Sequence, residues 1–280
     1  MINKVYLEIT NVCNLNCSFC HKTAREKRFM SMDEFNILTD KLRGKANRLF
    51  FHLMGEPTLH PSLPEFIGIA REKGFLPIVT TNGSLLKKAG GDLLSSLPYK
   101  ISISIHAPEA NDAFSDTEYL DNCIDFAKAA TEKGCIVALR LWNLGSGADN
   151  TETLERLHKA FTGEWVDVRG GSSQRIADKT FLEWGERFDW PDLAAPENPS
   201  DASAFCYGLR DQVGVLVDGT VVPCCLDAEG TVALGNLFEA ELDDILASER
   251  ARRIYEGFTH HCAVEQLCKR CGYARRFEGK

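Results

Sequence analysis

The chain reads as an α/β fold: an open, partial (βα)6 barrel followed by a small C-terminal unit built on a β-hairpin and a helix. Three observations carry that expectation. Apolar or alternating runs recur six times, separated by segments of helical periodicity and short connections, the pattern of a parallel sheet with right-handed crossovers. Residue types suited to chemistry fall just after those runs, where barrel folds place their sites. The eleven cysteines are unevenly spread, with three by residue 20, two in mid-chain and six from Cys206 onward.

Taken in order, residues 5–9 form the first apolar run and residues 13–20 a cysteine loop. Ser31 with Glu34 is a capping box that opens a helix to about residue 43. Residues 48–53 are the second strand, and Ser62 with Glu65 marks a second capping box for a helix ending near Gly74. A third strand at 76–80 leads to a helix over 84–97. The beat continues with a strand at 100–105, a helix at 117–133, a strand at 135–141, a helix at 151–161 and a sixth strand at 165–168. Six units are too few for a closed eight-fold barrel, so the expected sheet is open and TIM-like. Residues 171–205 break the rhythm and read as a linker or lid between a barrel at 1–170 and a terminal domain at 206–280. In that domain, two runs at 213–217 and 220–222 flank Asp218-Gly219 as a hairpin, and 242–256 is helical.

Composition excludes some function classes. Apolar content of 44% and charged content of 26% are those of an ordinary globular protein, and no apolar run reaches membrane-spanning length. Four residues before the first strand leave no room for a targeting peptide, which points to the cytoplasm. A net charge of −8 argues against a nucleic-acid partner. The basic groups Arg250/Arg252/Arg253 and Lys269-Arg270 with Arg275-Arg276 read as solvated helix faces. Cysteines in a reducing compartment are thiols or metal ligands rather than disulfides. Cys123 and Cys135, in apolar surroundings, read as small core residues.

The chemistry concentrates in Cys13-x3-Cys17-x2-Cys20. Thiolates select iron–sulfur clusters, zinc or copper(I). A four-iron cluster normally takes one cysteine per iron, so three on one loop would leave one iron open to a non-protein ligand. A zinc site would want a fourth ligand, and His21 is poorly placed beside Cys20 to supply it.

With Phe19 before the last cysteine and Gly55-Glu56-Pro57 after the second strand, residues 4 to about 170 resemble the radical S-adenosylmethionine (SAM) superfamily. That resemblance implies a 4Fe-4S cluster on Cys13, Cys17 and Cys20 whose open iron chelates SAM. Met54-Gly55-Glu56-Pro57 is similar to the family's Gly-Gly-Glu motif, which contacts the methionine amine, with Met in place of the first glycine. Asn82, in the turn after the third strand, joins the implied cofactor contacts. Ser102 and Ser104 stand where the family places polar residues near the ribose. Arg140 and Asn143 are weaker candidates for the carboxylate or ribose. The C-terminal part resembles the superfamily's SPASM or shorter twitch extensions. Cys206, Cys224, Cys268 and Cys271 would close one auxiliary 4Fe-4S cluster, since the further cysteine run of a two-cluster domain is missing. Cys225 and Cys262 are left over, and either could replace a ligand. Cys224 and Cys225, adjacent on the far strand of the hairpin, point to opposite faces, so both would not serve one cluster.

The implied activity is reductive cleavage of SAM, hydrogen abstraction from a substrate C–H bond, and net oxidation through the auxiliary cluster. The implied partners are a flavodoxin- or ferredoxin-type electron donor and a peptide or small-molecule substrate. His52, His106, Arg140 and Arg169 are candidates to touch that substrate. The absence of a recognition domain before the first strand tempers the peptide reading. The alternatives are a non-catalytic iron–sulfur electron carrier and a zinc-stabilised binding module, since paired cysteines also hold structural zinc.

Overall fold

The computed structural model describes residues 2–111, 114, 117–198 and 205–277, without the side chains of 275–277. Arg275 and Arg276, part of the second basic group, therefore lie outside the described side chains, as residues 199–204 lie outside the described stretch of 171–205.

Five βα units come first: β1 (Lys4–Leu7), α1 (Met32–Leu42), β2 (Arg48–Phe50), α2 (Leu63–Glu72), β3 (Leu76–Thr81), α3 (Leu86–Ser96), β4 (Lys100–Ser104), α4 (Tyr119–Glu132), β5 (Ile136–Leu144) and α5 (Thr151–Ala160). Three strands follow, β6 (Val166–Asp167), β7 (Ser173–Ala177) and β8 (Thr180–Glu186). The C-terminal part adds β9 (Gln212–Val215), β10 (Thr220–Val222), β11 (Gly235–Asn236), α6 (Leu242–Leu246) and α7 (Glu249–Thr259). All eleven strands share one sheet, in the order β11-β10-β9-β1-β2-β3-β4-β5-β8-β7-β6. The seven from β9 to β8 run parallel, and antiparallel strands flank them on both sides.

Strand alternation sorts the side chains onto two faces. Val5, Leu7, Leu49, Phe51, Val79, Ile101, Ile103, Val137 and Leu139 are fully buried in one apolar core with the helices. There Phe35 of α1 stacks on Phe66 of α2 at 4.0 Å between ring centres. The opposite parity, Tyr6, Phe50, His52, Thr80, Ser104, Arg140 and Trp142, lines a cavity. Polar and aromatic residues are thus turned inward, and the helix-facing side is a continuous apolar layer.

The sixth parallel strand is β8, not residues 165–168. β6 is two exposed residues at the outer edge, bonded only to β7 and antiparallel to it. It is too short and too solvated to stand beside β5. β8 instead buries Thr180 and Leu182 and pairs in parallel with β5 from Val137↔Thr180 to Leu141↔Trp184. Gly185 lets it approach, since a Cβ there would fall 2.8 Å from Trp142. Residues 171–205 are therefore not simply a linker or lid, for a hairpin occupies 173–186.

Two local expectations also change. Ser31 forms its capping box with Glu34, whereas Ser62 caps α2 without any side-chain bond. The helix over 242–256 is two helices, broken where Ser248 accepts from the backbone of Ala251 and restarts the chain as α7. The Asp218-Gly219 turn is present, with Gly219 at φ +85°, and it carries β9 directly onto β1. The C-terminal hairpin is thus a continuation of the barrel sheet.

Candidate active site and its two cysteine groups

The cysteine loop leaves β1 and is closed at its neck by two buried polar residues. Thr10 donates to the carbonyl of Arg28 at 2.9 Å, and the Asn11 amide donates to Glu26 (2.8 Å) and accepts from Arg28 N (2.9 Å). Each loop thiol then meets an N–H from a different source. Asn111, beyond β4, reaches Cys17 Sγ at 3.0 Å, the backbone of Lys22 reaches Cys20 Sγ at 3.4 Å, and Asn82 stands 3.9 Å from Cys13 Sγ. Burial pushes the Cys13 and Cys20 thiols up, and the neighbouring thiols add to the rise. Three sulfurs that share one field and collect N–H donors suit deprotonated ligands of a cationic centre. Among the described residues, no three His, Cys, Asp or Glu side chains are gathered tightly enough for a single ion.

Gly55 and Glu56 pack against that neck. Gly55 has φ +77°, and a Cβ on it would lie 2.4 Å from the Thr10 carbonyl oxygen and 2.9 Å from that of Val12. Only glycine fits both demands. Glu56 N donates to the Val12 carbonyl at 2.8 Å. Its buried carboxylate accepts from Asn82 N (2.7 Å), Thr58 N (3.0 Å) and the Thr58 hydroxyl (2.7 Å), while burial pushes its pKa up. Pro57 opens a short 3-10 turn. The sequence motif after β2 is therefore tied to the turn after β3, beside Cys13.

The structure brings Phe19, Ser104, Arg140, His52 and His106 together on the wall of one cavity of about 830 Å³. Arg140 donates from Nε to Glu183 at 3.1 Å and lies 4.8 Å over the Trp142 ring. Glu183 is shared with Lys100 at 2.7 Å, and both cations hold its pKa down against burial. His106 pairs with the Arg140 carbonyl at 2.9 Å and packs against Phe19. His52 Nδ1, Thr80 Oγ1 and Ser102 Oγ are buried without a protein partner; Thr80 and Ser102 are register partners on β3 and β4, and His52 lies just past the end of β2. Burial and Arg140 push His52 down to about 3, so it is neutral at ordinary pH. Ser102, fully buried, is not among the lining residues, and neither are Asn143 and Arg169. Asn143 spends its amide on Glu109 (2.7 Å) and Asn150 (2.8 Å), and Arg169 sits in the exposed turn between β6 and β7.

The same cavity is lined by Cys206, Cys224, Cys225, Cys268 and Cys271. Burial raises every one of these thiols, Cys225 to about 12 and Cys271 to about 11, and for Cys224, Cys225, Cys268 and Cys271 neighbouring cysteines add to the rise. Four of the five are the expected ligands. Cys225 is the fifth, sharing a side-chain hydrogen bond with Tyr6. Cys224 and Cys225 lie in a turn beyond β10, so strand alternation does not set them on opposite faces. Cys262 is exposed and off the cavity, while Cys123 and Cys135 are core residues. Sequence reasoning missed Arg187 (5.5 Å over Phe19) and Trp190, which donates to the Phe19 carbonyl at 3.0 Å. Their only sequence signal was aromatic and basic density in a stretch that reads as loop.

A family model described as the radical SAM superfamily matches residues 7–160. The chain belongs to the radical SAM superfamily. Residues 206–272 match SPASM, an iron–sulfur cluster-binding domain. Its cofactors are accordingly SAM, the four-iron cluster that binds it, and auxiliary iron–sulfur ligation in the SPASM domain. Among curated relatives, the antilisterial bacteriocin subtilosin biosynthesis protein AlbA of Bacillus subtilis is 23% identical, over 95% of this chain and 65% of AlbA. The SAM-dependent 2-deoxy-scyllo-inosamine dehydrogenase of Niallia circulans is 22% identical, over 97% of this chain and 93% of that one. The chain thus spans less than two thirds of AlbA, and 36% of Fe-coproporphyrin III synthase of Methanosarcina barkeri. Among solved structures, BtrN with AdoMet and 2-DOIA superposes with a TM-score of 0.59 at 19% identity, covering 97% of this chain and 93% of BtrN. Streptococcus suis SuiB gives 0.63 at 16%, covering 100% and 72%. These radical SAM structures share the barrel with its C-terminal extension. No helix among the described residues is long and apolar enough to cross a membrane.

Proposed function

We propose that this radical SAM enzyme cleaves SAM reductively and turns the 5′-deoxyadenosyl radical on a C–H bond of a substrate in the 830 Å³ cavity, with net oxidation. The observation that supports this reading is the cavity itself. It is lined by Ser18, Phe19 and Ser104, near the cysteine loop, and by Cys206, Cys224, Cys268 and Cys271. When bound, the clusters and SAM would supply electron transfer and radical chemistry.

The chain's own residues bind, orient and exclude water. Cys13, Cys17 and Cys20 hold one cluster, and the four C-terminal cysteines hold one auxiliary 4Fe-4S cluster. Gly55 brings the backbone against the loop, and the tied-down Glu56 and Asn82 shape the edge where the SAM amine is held. Ser104 would serve the ribose from the cavity wall with Ser102 behind it, and Arg140 would serve the carboxylate or ribose. Tyr6, Phe50, Trp142, Phe188 and Trp190 give the chamber apolar walls that keep water from a reactive radical.

The substrate is a peptide or a small molecule. The names of the two relatives above, one in bacteriocin biosynthesis and one acting on a cyclitol, support both. A flavodoxin- or ferredoxin-type protein supplies the electron. Eleven cysteines, with no disulfide among the described residues, suit the reducing cytoplasm.

The test is anaerobic reconstitution followed by dithionite and SAM. The expected product is 5′-deoxyadenosine, with about eight irons per chain at four per cluster. A protein that binds iron but makes no 5′-deoxyadenosine would sink the reading. Deuterium transfer into 5′-deoxyadenosine from labelled peptides and cyclitols then selects the substrate.

A further inference from the structure

The buried carboxylate of Glu8, one residue past β1, joins three parts of the molecule. Arg25, five residues beyond Cys20, grips it with both arms of its fork, Nη1 to Oε2 at 2.9 Å and Nη2 to Oε1 at 2.7 Å. Met54 N, beside Gly55, donates to Oε1 at 3.2 Å, and Val217 N, in the C-terminal hairpin, donates to Oε2 at 3.0 Å. Arg25 spends its Nε on the Ala228 carbonyl of the C-terminal domain at 2.8 Å, and its neighbour Ala24 N donates to the Glu229 carboxylate at 3.1 Å. Glu8 is fully buried and the Arg25 side chain is 14% exposed.

This is more connection than loop anchorage needs, because Thr10 and Asn11 already close the neck. The additional links all run to the C-terminal domain and to the loop after β2. A planar guanidinium can hold two carboxylate oxygens and a third acceptor in fixed relation, whereas an ammonium cannot. Removing one partner of a buried pair leaves an uncompensated charge, so the segments this pair joins are held together.

We propose that Arg25 is a positioning residue that couples the two cysteine sites. Through Glu8 it sets the SAM-facing loop in register with the C-terminal domain, so that the state of the C-terminal site is felt at the SAM site. The proposal rests on the functional reading above, in which both sites hold clusters.

A double-mutant cycle on the full chain tests it. Wild type, Arg25→Lys, Cys268→Ala/Cys271→Ala and the combination are reconstituted anaerobically. SAM affinity is measured together with the change that SAM causes in the electron paramagnetic resonance spectrum of the reduced N-terminal cluster. Arg25→Lys is expected to weaken SAM binding about tenfold and blunt the spectral change. Loss of the C-terminal cysteines is expected to weaken SAM binding in the wild-type background and to add nothing beside Arg25→Lys. Unchanged binding in Arg25→Lys, or effects that simply multiply, would overturn the proposal. Hydrogen exchange on the unreconstituted chain decides the case where the variant holds no cluster. Faster exchange across both 11–25 and 215–229 supports the link, and exchange equal to wild type overturns it. If wild type itself binds no SAM, the functional reading fails, while the exchange comparison still judges the link.

Discussion

Cys13, Cys17 and Cys20 lie on one loop, with Cys13 exposed, whereas Cys206, Cys224, Cys268 and Cys271 come from scattered segments and converge on the inner wall of the cavity. The first group is built by local sequence and steadied from outside by Asn82, Asn111 and the Gly55 turn. The second is built by the fold. Its members meet only because β9 joins β1 and the terminal segment after α7 returns to the same cavity. A loop that leaves one iron without a cysteine suits exchange of a cosubstrate, and a set of four suits a cluster that only passes electrons. Cys13 is the exposed member, while the other six thiols are half-buried.

The largest expected effects separate those tasks. Cys17→Ala should remove the N-terminal cluster and abolish 5′-deoxyadenosine formation, by at least about a thousandfold if the radical chemistry needs the intact cofactor. Cys268→Ala with Cys271→Ala should lose about half the iron yet still cleave SAM, with substrate oxidation lost. Iron analysis and product chromatography read both, and full oxidation by the second variant would break the division of labour. Gly55→Ala comes next. Its Cβ would sit 2.4 Å from the Thr10 carbonyl in a left-handed backbone, so the two loops must part. A stability loss on the order of 2 kcal/mol is expected, with SAM binding impaired more than auxiliary cluster content.

The difference between the sites also explains what could be read from the chain. Cysteines spaced within one loop, the Ser31–Glu34 capping box and the Asp218-Gly219 turn are local signals, and each appears where sequence puts it. Positions that depend on distant register were not legible. β8 hid in a stretch whose glycine and tryptophan content reads as loop, because its place beside β5 depends on Gly185 clearing Trp142. Asn143 looked like a site residue at a strand end but is consumed by Glu109 and Asn150. Glu8 gave no signal at all, since its importance lies in Arg25 and Val217, which are distant in sequence.

A smaller effect sharpens the electrostatics of the chamber. His52 is held neutral by burial and Arg140, with its pKa near 3 against 6.5 when unfolded. A depressed histidine contributes stability that is full above about pH 6.5 and is lost as pH falls toward 3. The loss approaches about 1.4 kcal/mol per pH unit within that window. Denaturant melts at pH 7.5 and 5.5 should show this acid sensitivity reduced in His52→Phe. An unchanged pH slope would mean that His52 accepts a proton in the folded protein.

The subtlest prediction concerns Asn111, which gives Cys17 an N–H at 3.0 Å while its oxygen accepts from Asn16 N at 2.8 Å. The side chain therefore holds the loop backbone and touches its sulfur at once. An N–H directed at a ligand sulfur favours the more negative, reduced cluster, so its removal should make reduction harder. Asn111→Leu is expected to shift the midpoint potential of the N-terminal cluster downward by tens of millivolts, the scale of one hydrogen bond of about 1 kcal/mol. Asn111→Asp keeps the oxygen that steadies Asn16 but removes the donor, and should show the same downward shift with less loss of loop order. Potentiometric titration followed by electron paramagnetic resonance separates the two roles. The C-terminal cluster serves as the internal reference, because Asn111 is not part of the wall that its cysteines form. A shift in both potentials would point to general loosening, and a shift in the first alone would assign the effect to the Asn111 N–H.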